Sequence, residues 1–134
     1  MPARRGRMSS RGRQHRTFEI EGFDVLVGKG DAENDRLTFG VAEPHDLWLH
    51  AAGAAGSHVV VRNPERLDEL PRGVVERAAE LAAFFSKART AKGKVEVHVC
   101  RVGDVRKRRG FPAGEVALKH FSAVRVYPRG PEEA

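Results

Sequence analysis

The side chains able to do chemistry in this chain concentrate between Asp46 and Arg62. Asp46-Leu47-Trp48-Leu49-His50 and Gly56-Ser57-His58-Val59-Val60-Val61-Arg62 hold the single tryptophan and two of the six histidines. Strict alternation marks each run as a strand, and a loop from Ala51 to Ser57 joins them into a hairpin. The natural register sets His50 opposite His58, Trp48 opposite Val60 and Asp46 opposite Arg62, with Leu49 facing Val59 and Leu47 facing Val61. One face is then aliphatic and anchors a core, while the other offers an indole, two imidazoles and an opposite-charge pair. Stacking on an indole beside imidazole hydrogen bonds suits unpaired RNA bases. Packing of Trp48 beneath a helix is the competing account of the same pattern.

Other chemistries find less support. Asp46, His50 and His58 are the candidates for acid-base work, histidine having a suitable pKa, so an RNA-modifying or RNA-processing enzyme is an alternative. Ser57 and Ser86 sit in no nucleophile motif. His45 and His50 differ by an odd number and point to opposite faces of one strand, leaving His50 and His58 without a third ligand; neither a metal nor a cofactor is expected. Gly28-Lys29-Gly30 lacks the pattern of a dinucleotide or P-loop site and reads as a turn from which Lys29 can reach a phosphate. Gly53-Ala54-Ala55-Gly56 joins two strands, so its match to a KH loop is coincidence. Arg106-Lys107-Arg108-Arg109, followed by a glycine-proline turn, reads as an exposed phosphate clamp.

Charge supports a polyanionic partner. The net charge is +6, and residues 1 to 16 alone carry six arginines and no acid. Residues 87 to 109 carry nine cations against Glu96 and Asp104. Two basic patches on a balanced remainder are the footprint of nucleic-acid binding. No run of apolar residues is long enough to span a membrane and no secretory signal is present, so a cytoplasmic protein is expected. The lone Cys100 has no disulfide partner and reads as a core or sheet-face thiol.

The elements that must position these groups follow from periodicity. Phe18-Glu19-Ile20 and Val25-Leu26-Val27 flank a glycine turn and predict a hairpin. Asp31 to Gly40 predicts a short helix. Pro71 opens a long one, with Val74, Val75, Ala78, Leu81, Ala82 and Phe85 on its apolar side and Gly93 as its stop. Val95, Val97 and Val99 alternate in a further strand, and Val124 to Tyr127 closes the domain. The fold class is α+β: a single domain with a mixed or antiparallel sheet, one long helix and one short helix. Residues 1–16 read as a disordered basic arm, 17–128 as the domain, and 129–134 as a disordered tail.

The assembled motifs resemble the NFACT-R family, the RNA-binding module of the ribosome quality-control factors RqcH and NEMF. They are Val27-Gly28-Lys29, Asn34-Asp35 with Leu37, DLWLH from Asp46 with Ala51, Gly56-Ser57-His58-Val59-Val60, the alanine-rich helix ending near Ser86, and Lys107 with Pro112, Gly114 and Val116. Gly30 and Arg108 depart from residues common in the family. The resemblance covers about residues 17 to 127 and implies an RNA-binding module of translation, with tRNA or rRNA and the large ribosomal subunit as partners and no DNA specificity. The other domains of full-length members do not fit in this length, so a stand-alone module without nascent-chain tailing is expected. The RNA-contacting residues expected are Lys29, Asn34, Trp48, His50, His58, Arg62, Arg106, Lys107, Arg108 and Arg109. A protein-docking adaptor is a third reading.

Overall fold

A computed structural model describes residues 15–131. The chain opens with β1 (His15–Ile20) and β2 (Phe23–Gly28), paired so that Ile20 meets Phe23 across a two-residue turn. Glu21 and Gly22 both take positive φ, 51° and 87°, the backbone that matches the twist of a tight hairpin. α1 (Asp31–Arg36) runs on into a wider turn of π type over Leu37–Val41, so the short helix predicted over Asp31 to Gly40 is split in two. β3 (Leu47–Ala51) and β4 (Val59–Val61) form the central hairpin, with Leu47 on Val61, Trp48 on Val60 and Leu49 on Val59. α2 (Arg72–Phe84), β5 (Val95–Arg101), the two-residue strands β6 (Val105–Arg106) and β7 (Ala117–Leu118), and β8 (Ser122–Val126) complete the order.

The main sheet is antiparallel at every pairing, in the order β1-β2-β4-β3-β5-β8. α2 covers one face, where Val25, Val27, Leu47, Leu49, Val59, Val61, Val97 and Val99 meet Val74, Ala78, Leu81 and Ala82. Alanines along the helix let it lie close to this valine-rich surface. The other face is covered by the π turn and the β6-β7 ribbon: Leu26, Trp48, Val60 and Cys100 pack against Leu37, Val102 and Val105, with Val116 and Leu118 at the margin. The domain therefore has three layers with the sheet in the middle. This second cover stops short of the β5-β8 end.

α2 ends at Phe84, well before the predicted stop at Gly93. The chain leaves the helix because it is captured by the loop of the central hairpin: Gly56 bridges Ser86, Ser57 N–H donates to the Phe85 carbonyl, and Lys87 N–H donates to the Ala55 carbonyl. Two other predicted boundaries move. His15 and Arg16 belong to β1, whereas the remainder of the predicted arm lies outside the described residues. Arg129 and Gly130 of the predicted tail accept hydrogen bonds from Arg77 on α2, with residues 132–134 outside the described residues.

Candidate nucleic-acid interface

The hairpin that holds Trp48, His50 and His58 has the predicted register, yet its second face is not open. Trp48 and His58 are each 1% exposed. Trp48 Nε1 donates to Thr38 Oγ1 at 3.2 Å, and Thr38 Oγ1 lies 2.8 Å from His58 Nδ1. His58 Nε2 is 3.2 Å from the Gly114 carbonyl, which can only accept, so the proton sits on Nε2. Nδ1 then accepts from the Thr38 hydroxyl, and the chain of bonds from indole to Gly114 is complete. Burial, with His50 nearby, lowers the His58 pKa to about 4 and keeps the ring neutral. The expectation that Trp48 and His58 face a ligand is thus corrected: they are the centre of the second core, covered by Thr38 from one segment and Gly114 from another.

His50 is half-buried beside them, its ring 5.8 Å from that of Trp48 and 5.6 Å from that of His58. Burial chiefly, then His98 directly across the β3-β5 pairing, lowers its pKa, against a backbone hydrogen bond to Gly56. It is the one member of the predicted trio that reaches solvent.

The remaining motif residues form further staples. Asn34, 2% exposed, accepts from His58 N–H through Oδ1 and donates to the Gly56 carbonyl through Nδ2. Gly28 is required beside it, since a Cβ there would strike the Asn34 amide oxygen. Lys107 spends its ammonium on the Pro112 and Glu115 carbonyls at 2.6 and 2.9 Å and on Asp35 Oδ2 at 2.9 Å, while Asp35 Oδ1 accepts from Gly114 N–H. Asp46 is buried, with Oδ2 accepting from Glu43 N–H and Oδ1 from Asn63 N–H, and Arg62 Nε stands 2.8 Å from Oδ2 as a close ion pair without hydrogen-bond direction. Asn63, which sequence reasoning missed, braces the following turn: its Nδ2 donates to the His45 and Leu67 carbonyls and its Oδ1 accepts from Leu67 N–H. Asn34, Lys107 and Arg62 were expected to touch RNA; Asn34 is buried and the Lys107 ammonium is occupied within the fold, while Arg62 pairs with Asp46 and stays part-exposed. The proposed acid-base set fails for the same reason, since both Asp46 oxygens and both His58 nitrogens are taken. Cys100 is buried, and burial pushes its thiol up to about 12, away from reactive thiolate.

Basic surface lies elsewhere. A groove of about 360 Å³ is lined by Arg16 from β1, Lys29 and Asp31 from the β2-α1 turn, Gly56 and Ser57 from the hairpin loop, and Lys87 and Arg89 after α2. Arg16 lies over the Phe85 ring at 4.9 Å and Arg89 over Phe84 at 4.0 Å, so both guanidinium groups are held in place by aromatic faces. A second basic hollow is formed by Arg106, Lys107, Arg108 and Lys119 on the β6-β7 ribbon. Arg106 Nη1 is tied to the Gly103 carbonyl, and Arg108 and Arg109 are exposed. In the sequence Lys87 and Arg89 are only part of a charged stretch; their convergence with Arg16 needs the early end of α2. Among the described residues no cluster of His, Cys, Asp and Glu suits a metal ion, and no helix is long and apolar enough to cross a membrane.

The chain is a three-layer α+β domain with two basic hollows on its surface. Residues 13–120 match the family described as the NFACT protein RNA binding domain, and the chain belongs to that family. It is 41% identical over 105 residues to the Rqc2 homolog RqcH of Streptococcus suis, and 36% identical over 113 residues to that of Bacillus subtilis. Those alignments take in 78% and 84% of this chain and 18% and 19% of the relatives, so the chain spans about a fifth of their length. Ribosome quality control complex subunit 2 of Saccharomyces cerevisiae is 30% identical over 75% of the chain, which covers 10% of that protein. The solved C-terminal part of the fibronectin/fibrinogen-binding protein of Streptococcus suis superposes with a TM-score of 0.78 at 36% identity, over 87% of this chain and 45% of that one.

Proposed function

We propose that this domain binds RNA of the translation apparatus, tRNA or rRNA, through phosphate contacts, as part of ribosome-associated quality control in the cytoplasm. The observation that carries this reading is the groove lined by Arg16, Lys29, Lys87 and Arg89, brought from three distant segments, with Asp31 as the one acid among the described lining residues. Cations gathered in this way meet a phosphate backbone at a spacing no helix or strand alone could offer. The β6-β7 ribbon, with Arg108 and Lys119 in its hollow and Arg109 exposed beside them in the chain, offers a second group of cations. Membership in an RNA-binding family and the names of its relatives support the class of partner.

A filter-binding titration with tRNA tests it. Affinity falls as salt rises, and the double variant Lys87→Gln/Arg89→Gln flattens the logarithmic slope by about 1.4, roughly 0.7 for each phosphate no longer neutralised on single-stranded RNA. Affinity indifferent to salt overturns the reading. The acid-base alternative loses Asp46 and His58 to the fold. Docking on a protein keeps one observation in its favour, the exposed Phe39 and Val41 on the π turn; co-purification of a partner that survives nuclease treatment is its test.

A further inference from the structure

The second face of the sheet is uncovered beyond Cys100, and what stands there is organised. Glu96 and His98 of β5 point to this face, with Arg125 and Ala123 of β8 directly opposite them. Ala123 is too short to cover His98. Phe121, immediately before β8, lies against the imidazole instead, its ring centroid 4.4 Å from that of His98, and remains 52% exposed. His98 is held from its other side by Glu96, Nε2 to Oε2 at 3.3 Å, and faces half-buried His50 across the strand pair. An exposed phenyl ring at the edge of the sheet, tilted 42° against an imidazole held by Glu96, presents a π surface to solvent.

Its flanks carry charge. Lys119, two residues before Phe121, lines the basic hollow with Arg106 and Arg108, and its backbone N–H is fixed to the Asp104 carbonyl at 2.8 Å. Arg125 is exposed on the same face, two residues beyond Ala123. The ring thus follows a cation of the ribbon by two residues in the chain.

We propose that Phe121, seated on His98 and flanked by Lys119 and Arg125, is a stacking platform for an unpaired nucleobase of the bound RNA. This rests on the RNA-binding reading above and adds to it a preference for single-stranded segments. Stacking needs only a π face, so the site accepts any base, and duplex RNA has no free face to offer.

The test measures binding of the full chain to labelled oligouridine and to a blunt RNA duplex of equal length. Phe121→Ala lowers oligouridine affinity about tenfold, within the range measured for removal of a single base–ring stack, and leaves the duplex affinity unchanged. Phe121→Tyr keeps a ring and restores oligouridine binding, which a loss of folding would not do. Unchanged oligouridine affinity in Phe121→Ala overturns the platform, as does binding of duplex but not oligouridine by the unaltered protein; in both cases the RNA-binding reading stands. Binding of neither RNA by the unaltered protein overturns both. Self-association that disappears with Phe121 while RNA affinity does not change would assign the face to a second copy and overturn the platform.

Discussion

Two parts of this molecule use polar side chains in opposite ways. Under the π turn and the β6-β7 ribbon, Thr38, Trp48, His58, Asn34, Asp35 and Lys107 are joined by hydrogen bonds and an ion pair that cross the chain from end to end. Around the groove and at the β8 edge, Arg16, Lys87, Arg89, Arg125 and Phe121 are held by ring contacts, by the backbone or not at all. The first set is specific in residue type because each donor meets acceptors fixed by the fold; the second needs only charge and a ring. The motifs that identify the family are therefore mostly the fold's, and the surface proposed to bind is built from residues of common type. Substitutions in the first region should cost stability with RNA affinity intact, and those in the second should do the reverse.

Trp48→Ala should produce the largest effect. It removes the biggest fully buried side chain among the described residues and leaves the Thr38 hydroxyl oxygen without its indole donor, for a loss of about 3–5 kcal/mol in urea unfolding. If the variant keeps its stability but loses RNA affinity, the division between the two regions is broken and Trp48 belongs to the interface.

Acid should act next, through His58. The unfolded chain takes up the proton near 6.5 and the folded protein only near about 4. Stability is therefore fully present above pH 6.5, is lost as pH falls from there toward 4, and levels off below, with a total of about 3 kcal/mol. His50, also lowered, adds in the same direction. Urea midpoints followed across this window check the slope, and a His58 ring titrating near 6.5 by NMR would contradict the buried neutral imidazole.

Asn34→Ala follows at about 1–3 kcal/mol, because it leaves the buried His58 N–H without its acceptor and removes the donor to the part-buried Gly56 carbonyl. Its RNA affinity should match that of the unaltered protein at a temperature where both are folded; a weaker affinity at equal stability would move Asn34 to the binding surface.

How much of this is legible in the sequence depends on range. The register of the central hairpin is, because alternation and loop length leave one solution that buries Leu47, Leu49, Val59 and Val61 together. The fate of the opposite face is not, since alternation says which residues share a side and nothing about what returns to cover it. The cover comes from Gly114 and from Thr38, 56 and 20 residues away from His58 in the chain. Lys107 misleads in the same way: a cation within a basic run looks solvated until the Pro112 and Glu115 carbonyls and Asp35 are placed around it. The end of α2 is misplaced because helical periodicity reports propensity, while the bridge from Gly56 to Ser86 is a tertiary contact that overrides it. Phe121 carries no pattern at all; an isolated phenylalanine gains meaning only when His98 is found beneath it.

The smallest stability effect belongs to the surface, and it sharpens the contrast most. Lys87→Gln/Arg89→Gln removes two exposed charges, one of which lies over Phe84. Surface substitutions of this kind change stability by about 0.5 kcal/mol or less, and the attraction between guanidinium and ring is of the same order. The urea midpoint should therefore scarcely move while the salt dependence of RNA binding weakens. A large loss of stability would mean that the cations clamp the end of α2 against the hairpin loop, and the groove would then be another staple like Lys107. A stable variant with reduced affinity and a flatter salt slope places Lys87 and Arg89 against phosphate.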